Sequence, residues 1–302
     1  MDASERTVTI GNVTLVGALI NVALSTAKVL AGVYGHSQAV VADGVHSLSD
    51  LATDVAVIIG VRYWSEPADG DHPYGHGRIE TLITTVIGVT LFVVGVFIGY
   101  RAFIGLSIND EFAPSWIAFW AAIASVVLKE WLYRWTIGVG RRIRSQALIA
   151  NAWHHRSDAF SSVPAVIAVA TAILKPSFAK ADHLGAMIVS GFIIAASWKI
   201  VSPCLQQLID RGATLEDLSR IHQFASEIHG VRSVHGLRTR YIGSSLAVDL
   251  HVLVDGDATV RTGHDIAREV EENLLERMPE VLDVVVHSEP EDHTSSSEYQ
   301  QR

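Results

Sequence analysis

Apolar residues fill the first two-thirds of this chain in long runs, and the last third alternates in short periods. Six runs are long enough to cross a bilayer as helices, at about residues 10–33, 38–61, 82–103, 115–139, 148–174 and 184–205. The third run holds Gly95-Val-Phe-Ile-Gly99, a small-xxx-small spacing that allows close helix approach. Runs one, two, four and five carry polar residues. They are therefore expected to surround a pathway, with runs three and six paired beside it. From Asp210 the period changes. Residues 214–229 place Leu218, Ile221, Phe224 and Ile228 on one helical face, and residues 231–241 and 246–254 alternate as strands around Ile242-Gly-Ser-Ser245. Residues 259–278 predict a second helix and 281–288 a third strand. The expected order is α-β-β-α-β, a small sheet with helices on one face. The fold class is thus a six-helix transmembrane bundle followed by an α+β domain, divided as residues 1–209, 210–290 and a disordered polar tail over 291–302.

Orientation follows the basic residues of the short loops. Arg62, Arg78, Arg141, Arg142 and Arg144 lie on one side, against Arg101, Lys175 and Lys180 on the other. This places both termini in the cytoplasm. Residues 1–9 are polar and the first run lacks a small-residue cleavage pattern, so a cleaved signal peptide is not expected.

Composition sharpens the picture. Only 18% of the 302 residues are charged, low for a soluble protein, and the net charge of −9 gives no reason to expect nucleic acid as a partner. The single cysteine, Cys204, excludes an internal disulfide framework and any multi-cysteine metal site.

The chemistry sits where ionisable groups interrupt apolar runs. In the second run Asp43, His46, Asp50 and Asp54 share one helical stripe. In the fifth, Asn151, His154 and Asp158 repeat the pattern. Carboxylates at bilayer depth are costly and normally face a bundle interior. Two HxxxD faces brought together offer two imidazoles and two carboxylates, His46, Asp50, His154 and Asp158, a tetrahedral set suited to zinc. His155 points about 100° from His154 on the same helix and is not counted as a ligand. Asp43, Asp54 and Asn151 stand behind the ligands or along the pathway.

A divalent ion and two carboxylates sum to zero, so the loaded site is tolerable in lipid. The empty site has two carboxylates that repel each other, and protonation relieves this. A site open alternately to the two sides is then a proton-coupled exchanger. An intramembrane zinc enzyme needs an open coordination position and a general base, and no HExxH pattern is present. A channel needs weak binding, which four strong ligands oppose.

Two further clusters stand outside the runs. Asp69, His72 and His76 crowd the loop between runs two and three, a second metal site at the cytoplasmic interface. In the last domain Asp249 and His251 share a strand face, as do His287 and Glu289. With His235 and His264 they form a metal-binding surface.

Together Ala42-Asp-Gly-Val-His46-Ser-Leu-Ser-Asp50, Pro67-Ala-Asp-Gly-Asp-His-Pro-Tyr-Gly-His-Gly77 and His154-His-Arg-Ser-Asp158 resemble the cation diffusion facilitator family, over about residues 10–290. The resemblance implies a divalent metal/proton antiporter in a bacterial inner membrane, working as a homodimer. Metal is its substrate and regulator, and it has no other cofactor. It also implies a metallochaperone-like cytosolic domain, and an Arg78–Asp210 pair that holds the protomers together near the membrane surface. Gly236 stands where some relatives have an acidic ligand. Histidine at both positions 46 and 154 tilts the metal toward zinc, with cobalt, cadmium and ferrous iron behind it and manganese linked to other residues at these positions.

Overall fold

The computed structural model describes residues 3–107, 114–143 and 145–291; of residues 3–7, 10, 50, 52–59, 147 and 176 it describes the backbone alone. Arg144 and nearly all of the polar tail, residues 292–302, lie outside the described residues. The chain packs as two compact units. One comprises Met1–Val57 and Val86–Val201, the other Ile58–Thr85 and Ser202–Arg302.

Six long helices form where the apolar runs predict them: α1 (Ala3–Tyr34), α2 (Gln38–Trp64), α3 (Arg78–Ser107), α4 (Trp116–Arg142), α5 (Gln146–Leu174) and α6 (Ala181–Leu208). Five of them, α1, α3, α4, α5 and α6, are long and apolar enough to cross a membrane. The other, α2, has similar length but carries Asp43, Asp50 and Asp54 within its apolar sequence. The first unit packs on small side chains. Ala39 and Ala42 of α2, Ala118 and Ala122 of α4, and Ala165 and Ala168 of α5 belong to one buried cluster. Residues this small let backbones come close where lipid supplies no hydrophobic drive between helices. The α3–α6 pairing expected of the two runs without polar residues is present, with close approach at Gly95 and Gly99. A Cβ on Gly95 would lie 3.0 Å from Ile193 and Ile194, and one on Gly99 2.8 Å from Ser190 Oγ.

The second unit contains α7 (Leu215–Ser226), β1 (Ser233–Ile242), β2 (Ser245–Val254), α8 (Val260–Arg277) and β3 (Val281–Pro290). Thr214 and Thr259 start the two helices, each accepting a hydrogen bond from a backbone N–H three residues on. The sheet order is β1-β2-β3, with β1 antiparallel and β3 parallel to β2. Leu246, Val248, Leu250, Val252 and Val254 alternate into a core shared with Ile221, Val270 and Leu274 of the helices. That alternation puts Asp249 and His251 on the opposite face of the sheet.

Candidate metal sites

In the membrane unit, α5 brings His154 and Asp158 one turn apart, with His154 Nε2 3.9 Å from Asp158 Oδ2. Asp158 is buried and the His154 side chain is about half exposed. On α2, His46 is half-buried, while the side chains of Asp50 and Asp54 lie outside the described residues. Asn151 is half-buried one turn before His154. His155 is buried on another face of α5. A Cβ on Gly17 of α1 would lie 3.3 Å from its Nε2, and neither ring nitrogen finds a hydrogen-bond partner among the described residues.

Two lysines that the HxxxD pattern does not flag complete this region. Lys28 of α1 donates to Asp43 Oδ2 at 3.0 Å, to the Asp43 carbonyl at 3.1 Å and to Ser47 Oγ at 2.6 Å. Ser162 donates to the other Asp43 oxygen at 2.7 Å. Lys129 of α4 donates to Asp158 Oδ2 at 3.3 Å and to Ser47 Oγ at 3.2 Å. The Asp158 carboxylate therefore has an ammonium beside it. The signal for both lysines was in the sequence: an ionisable group centred in an apolar run marks function by default.

The loop cluster is assembled within the second unit. Asp69 Oδ1 accepts from the backbone N–H of His72 at 2.6 Å and of Asp71 at 3.0 Å, an arrangement typical of a turn. The His72 N–H bond, first among these contacts, holds the Asp69 carboxyl below its usual range. Asp69 lies 3.4 Å from His72 Nδ1 and 3.5 Å from His76 Nε2, and each of the three offers a ligand atom within 4.8 Å of the others. Nearby, Asp210 ends α6 with φ +57, the left-handed conformation of a helix C-terminus, and its carboxylate accepts from Arg78 Nη2 at 2.8 Å.

On the open face of the sheet, register does the assembly. His235 pairs with His251 across β1–β2, and His251 with His287 across β2–β3. The three imidazoles form a row across neighbouring strands. Glu289 is its hub, with Oε1 2.8 Å from His251 Nδ1 and 3.5 Å from His287 Nε2, and Oε2 3.2 Å from His235 Nε2. His235, His251 and Glu289 offer ligand atoms within 4.8 Å of one another, a nitrogen-and-oxygen set that fits a divalent transition metal. Asp249 faces Arg238 at 3.4 Å and Arg240 at 3.7 Å instead of this row, and His264 is exposed on α8. Gly236 follows His235 in a bulge at φ +58, and a Cβ there would come 3.1 Å from the His251 ring. Glycine at this position makes room for the imidazole.

Comparison with known proteins matches two domain models to the chain in tandem. The cation efflux transmembrane domain matches residues 14–209, and the cation efflux protein cytoplasmic domain matches residues 213–291. The manganese efflux system protein MneP of Bacillus subtilis (strain 168) is 32% identical over 293 residues, covering 95% of this chain and 98% of that protein. MneS of the same organism, also a manganese efflux system protein, is 34% identical over 279 residues, with 91% and 94% covered. The solved MamM CTD in its copper form is 27% identical, covers 28% of this chain and 92% of its own, and has a TM-score of 0.26. With both domain models matched in tandem and relatives aligned almost end to end, the chain belongs to the cation diffusion facilitator family, membrane proteins that move divalent metal cations.

Proposed function

We propose that this chain exports a divalent transition metal, zinc first, in exchange for protons, through a mid-membrane site formed by His46, Asp50, His154 and Asp158. The observation that carries the reading is Asp158, a carboxylate buried one helical turn from His154 on an apolar helix, answered by the same spacing on α2. Imidazole nitrogen favours zinc, cobalt and cadmium over manganese. The metal replaces protons on these groups when it binds, and they return when it leaves. Asp43, Asp54 and Asn151 line the approach. Both termini face the cytoplasm of a bacterial inner membrane, and the protein acts as a homodimer in which Arg78–Asp210 braces the protomers. Metal at His235, His251, His287 and Glu289, with Asp249 and His264 at the margins, draws the cytosolic domains together and favours one transport conformation. Asp69, His72 and His76 form the interfacial loop site.

Manganese as the main substrate is the second reading, supported by two relatives that carry manganese efflux in their names and match over most of their length. A competition series in proteoliposomes tests both, comparing zinc, iron and manganese with and without His46→Asp. Zinc uptake that follows an imposed pH difference and weakens in His46→Asp supports the proposal. Uptake indifferent to the pH difference refutes the exchange, and manganese outcompeting zinc in the unaltered protein selects the second reading.

A further inference from the structure

The proposed site was inferred from carboxylates that need a counter-charge in lipid, yet two ammonium groups already stand beside them. Lys28 and Lys129 are 0% and 2% exposed, a burial that lysine tolerates only when paired. They are not equivalent. The three protons of Lys28 are all engaged, on Asp43 Oδ2, the Asp43 carbonyl and Ser47 Oγ, and Ser162 closes the other Asp43 oxygen. Lys28 therefore neutralises a carboxylate whose two oxygens each already accept a hydrogen bond.

Lys129 makes two longer contacts, 3.2 Å to Ser47 Oγ and 3.3 Å to Asp158 Oδ2. The same Oδ2 atom lies 3.9 Å from His154 Nε2. The ammonium thus stands at the carboxylate oxygen that faces His154, where a metal between His154 and Asp158 would sit. A lysine is a compact charge on a four-carbon stem and moves by rotamer change alone. An ion of charge +2 cannot share that oxygen with an ammonium at hydrogen-bond distance without strong repulsion.

We propose that Lys129 is a tethered cation that takes the metal's place on Asp158 when the transport site is empty. It withdraws when metal loads and returns as metal leaves. This rests on the transport-site reading above and adds a specific consequence. Four strong ligands alone make a trap, while a built-in competitor lowers affinity and speeds release. Lys129 is then an affinity-setting residue, and Lys28 keeps the neighbouring Asp43 out of the competition.

The test uses full-length protein carrying His76→Ala and Glu289→Ala, so that zinc bound at the loop and cytosolic clusters does not mask the membrane site. In nanodiscs, Lys129→Gln is expected to bind zinc about tenfold or more tighter, because the repulsive charge is gone. In proteoliposomes the same variant transports more slowly at saturating zinc, with a lower half-saturation concentration. Lys129→Arg keeps the charge and stays near the parent affinity. A purely structural lysine moves none of these in that direction, so unchanged or weaker zinc binding in Lys129→Gln overturns the proposal. Asp158→Asn separates the two readings. Should it lose zinc binding while Lys129→Gln gains none, only the lysine proposal falls; should it bind zinc as before, both fall. If Lys129→Gln does not fold, the zinc-loaded parent protein decides by electron cryo-microscopy. Lys129 Nζ beyond hydrogen-bond reach of Asp158 supports the exchange, and a persisting contact refutes it.

Discussion

Removing Lys28 should unfold the membrane unit far more readily than removing Lys28 and its partner together. Lys28 Nζ and Asp43 Oδ2 are 3.0 Å apart and both side chains are almost completely buried. At an effective dielectric near 20, that separation corresponds to about 5–6 kcal/mol of attraction. Desolvating the two ions costs several kcal/mol each, so the intact pair contributes little net stability. Breaking it is another matter. Lys28→Met leaves Asp43 buried without its counter-charge, with the Ser162 hydroxyl still bonded to it, and the expected loss is about 3–5 kcal/mol. In Lys28→Met/Asp43→Leu no charge is stranded. Ser162 still has the Asp158 carbonyl at 3.1 Å, and Ser47 still has Lys129. The double variant should recover most of the loss, giving a large coupling energy in a double-mutant cycle. Unfolding is followed by tryptophan fluorescence in a detergent titration, with chelator present so that metal binding does not add to native stability. A loss below about 1 kcal/mol in Lys28→Met, or a double variant as unstable as the sum of the singles, would refute the buried-pair reasoning.

Other outcomes follow from single contacts. Glu289→Ala removes the carboxylate that three histidines share and should weaken zinc binding at the cytosolic domain about 10–100-fold by calorimetry, whereas exposed His264→Ala should leave it unchanged. Gly236→Ala places a Cβ against the His251 ring at a positive φ, so it should cost about 1 kcal/mol or more in urea denaturation and lower the same affinity. The Arg277 guanidinium, and after it the Gln223 amide, hold the Glu227 carboxyl below the usual glutamate range. A depressed folded value means the α7–α8 link is fully present above the glutamate range and lost as pH falls through the lowered value. Hydrogen exchange in those helices should rise with acid in the parent, and the rise should be smaller in Glu227→Gln. Asp210→Gly keeps the left-handed turn and loses the Arg78 pair, while Asp210→Ala loses the same pair and adds about 1 kcal/mol of backbone cost, a difference readable in thermal midpoints.

The elements were legible because their periods are clean. Alternation over residues 246–254 gives β2 as Ser245–Val254, and Ile242-Gly-Ser-Ser245 marks the turn, with Gly243 at φ +63. The long helices follow from apolar run length, and α1 begins earlier than its run because the polar residues before Ile10 continue the same helix. Within the sites, local spacing read well and partnership read poorly. His154 and Asp158 stand as HxxxD predicts, since helix geometry alone sets them. Asp249 shares a face with His251, but Arg238 and Arg240 on the neighbouring strand claim its carboxylate, a fact of register that spacing along one strand does not contain. Glu289 reads as the companion of His287 two residues away, yet it gathers His235 and His251 from other strands. Lys129 lies in a run without the repeated motif, and only packing reveals that it meets Asp158.

The two kinds of histidine–carboxylate cluster therefore solve opposite problems with the same side chains. On the sheet, Glu289 is 24% exposed in its side chain and its imidazole partners are held by strand register; among the described residues its ion-pair partners are histidines alone. Under the proposed regulatory role, such a site would report metal concentration by occupancy, and tight binding would do it no harm. In the membrane unit the carboxylate is buried, and lysine already answers its charge. There the empty state must be as tolerable as the loaded one, because a carrier that stabilises only its loaded form stops after one ion. On the proposal above, a tethered ammonium that leaves Asp158 as metal arrives brings the two states closer in energy without relying on solvent. On the proposed roles, sensing and carrying are thus separated less by ligand type than by what stands next to the ligands.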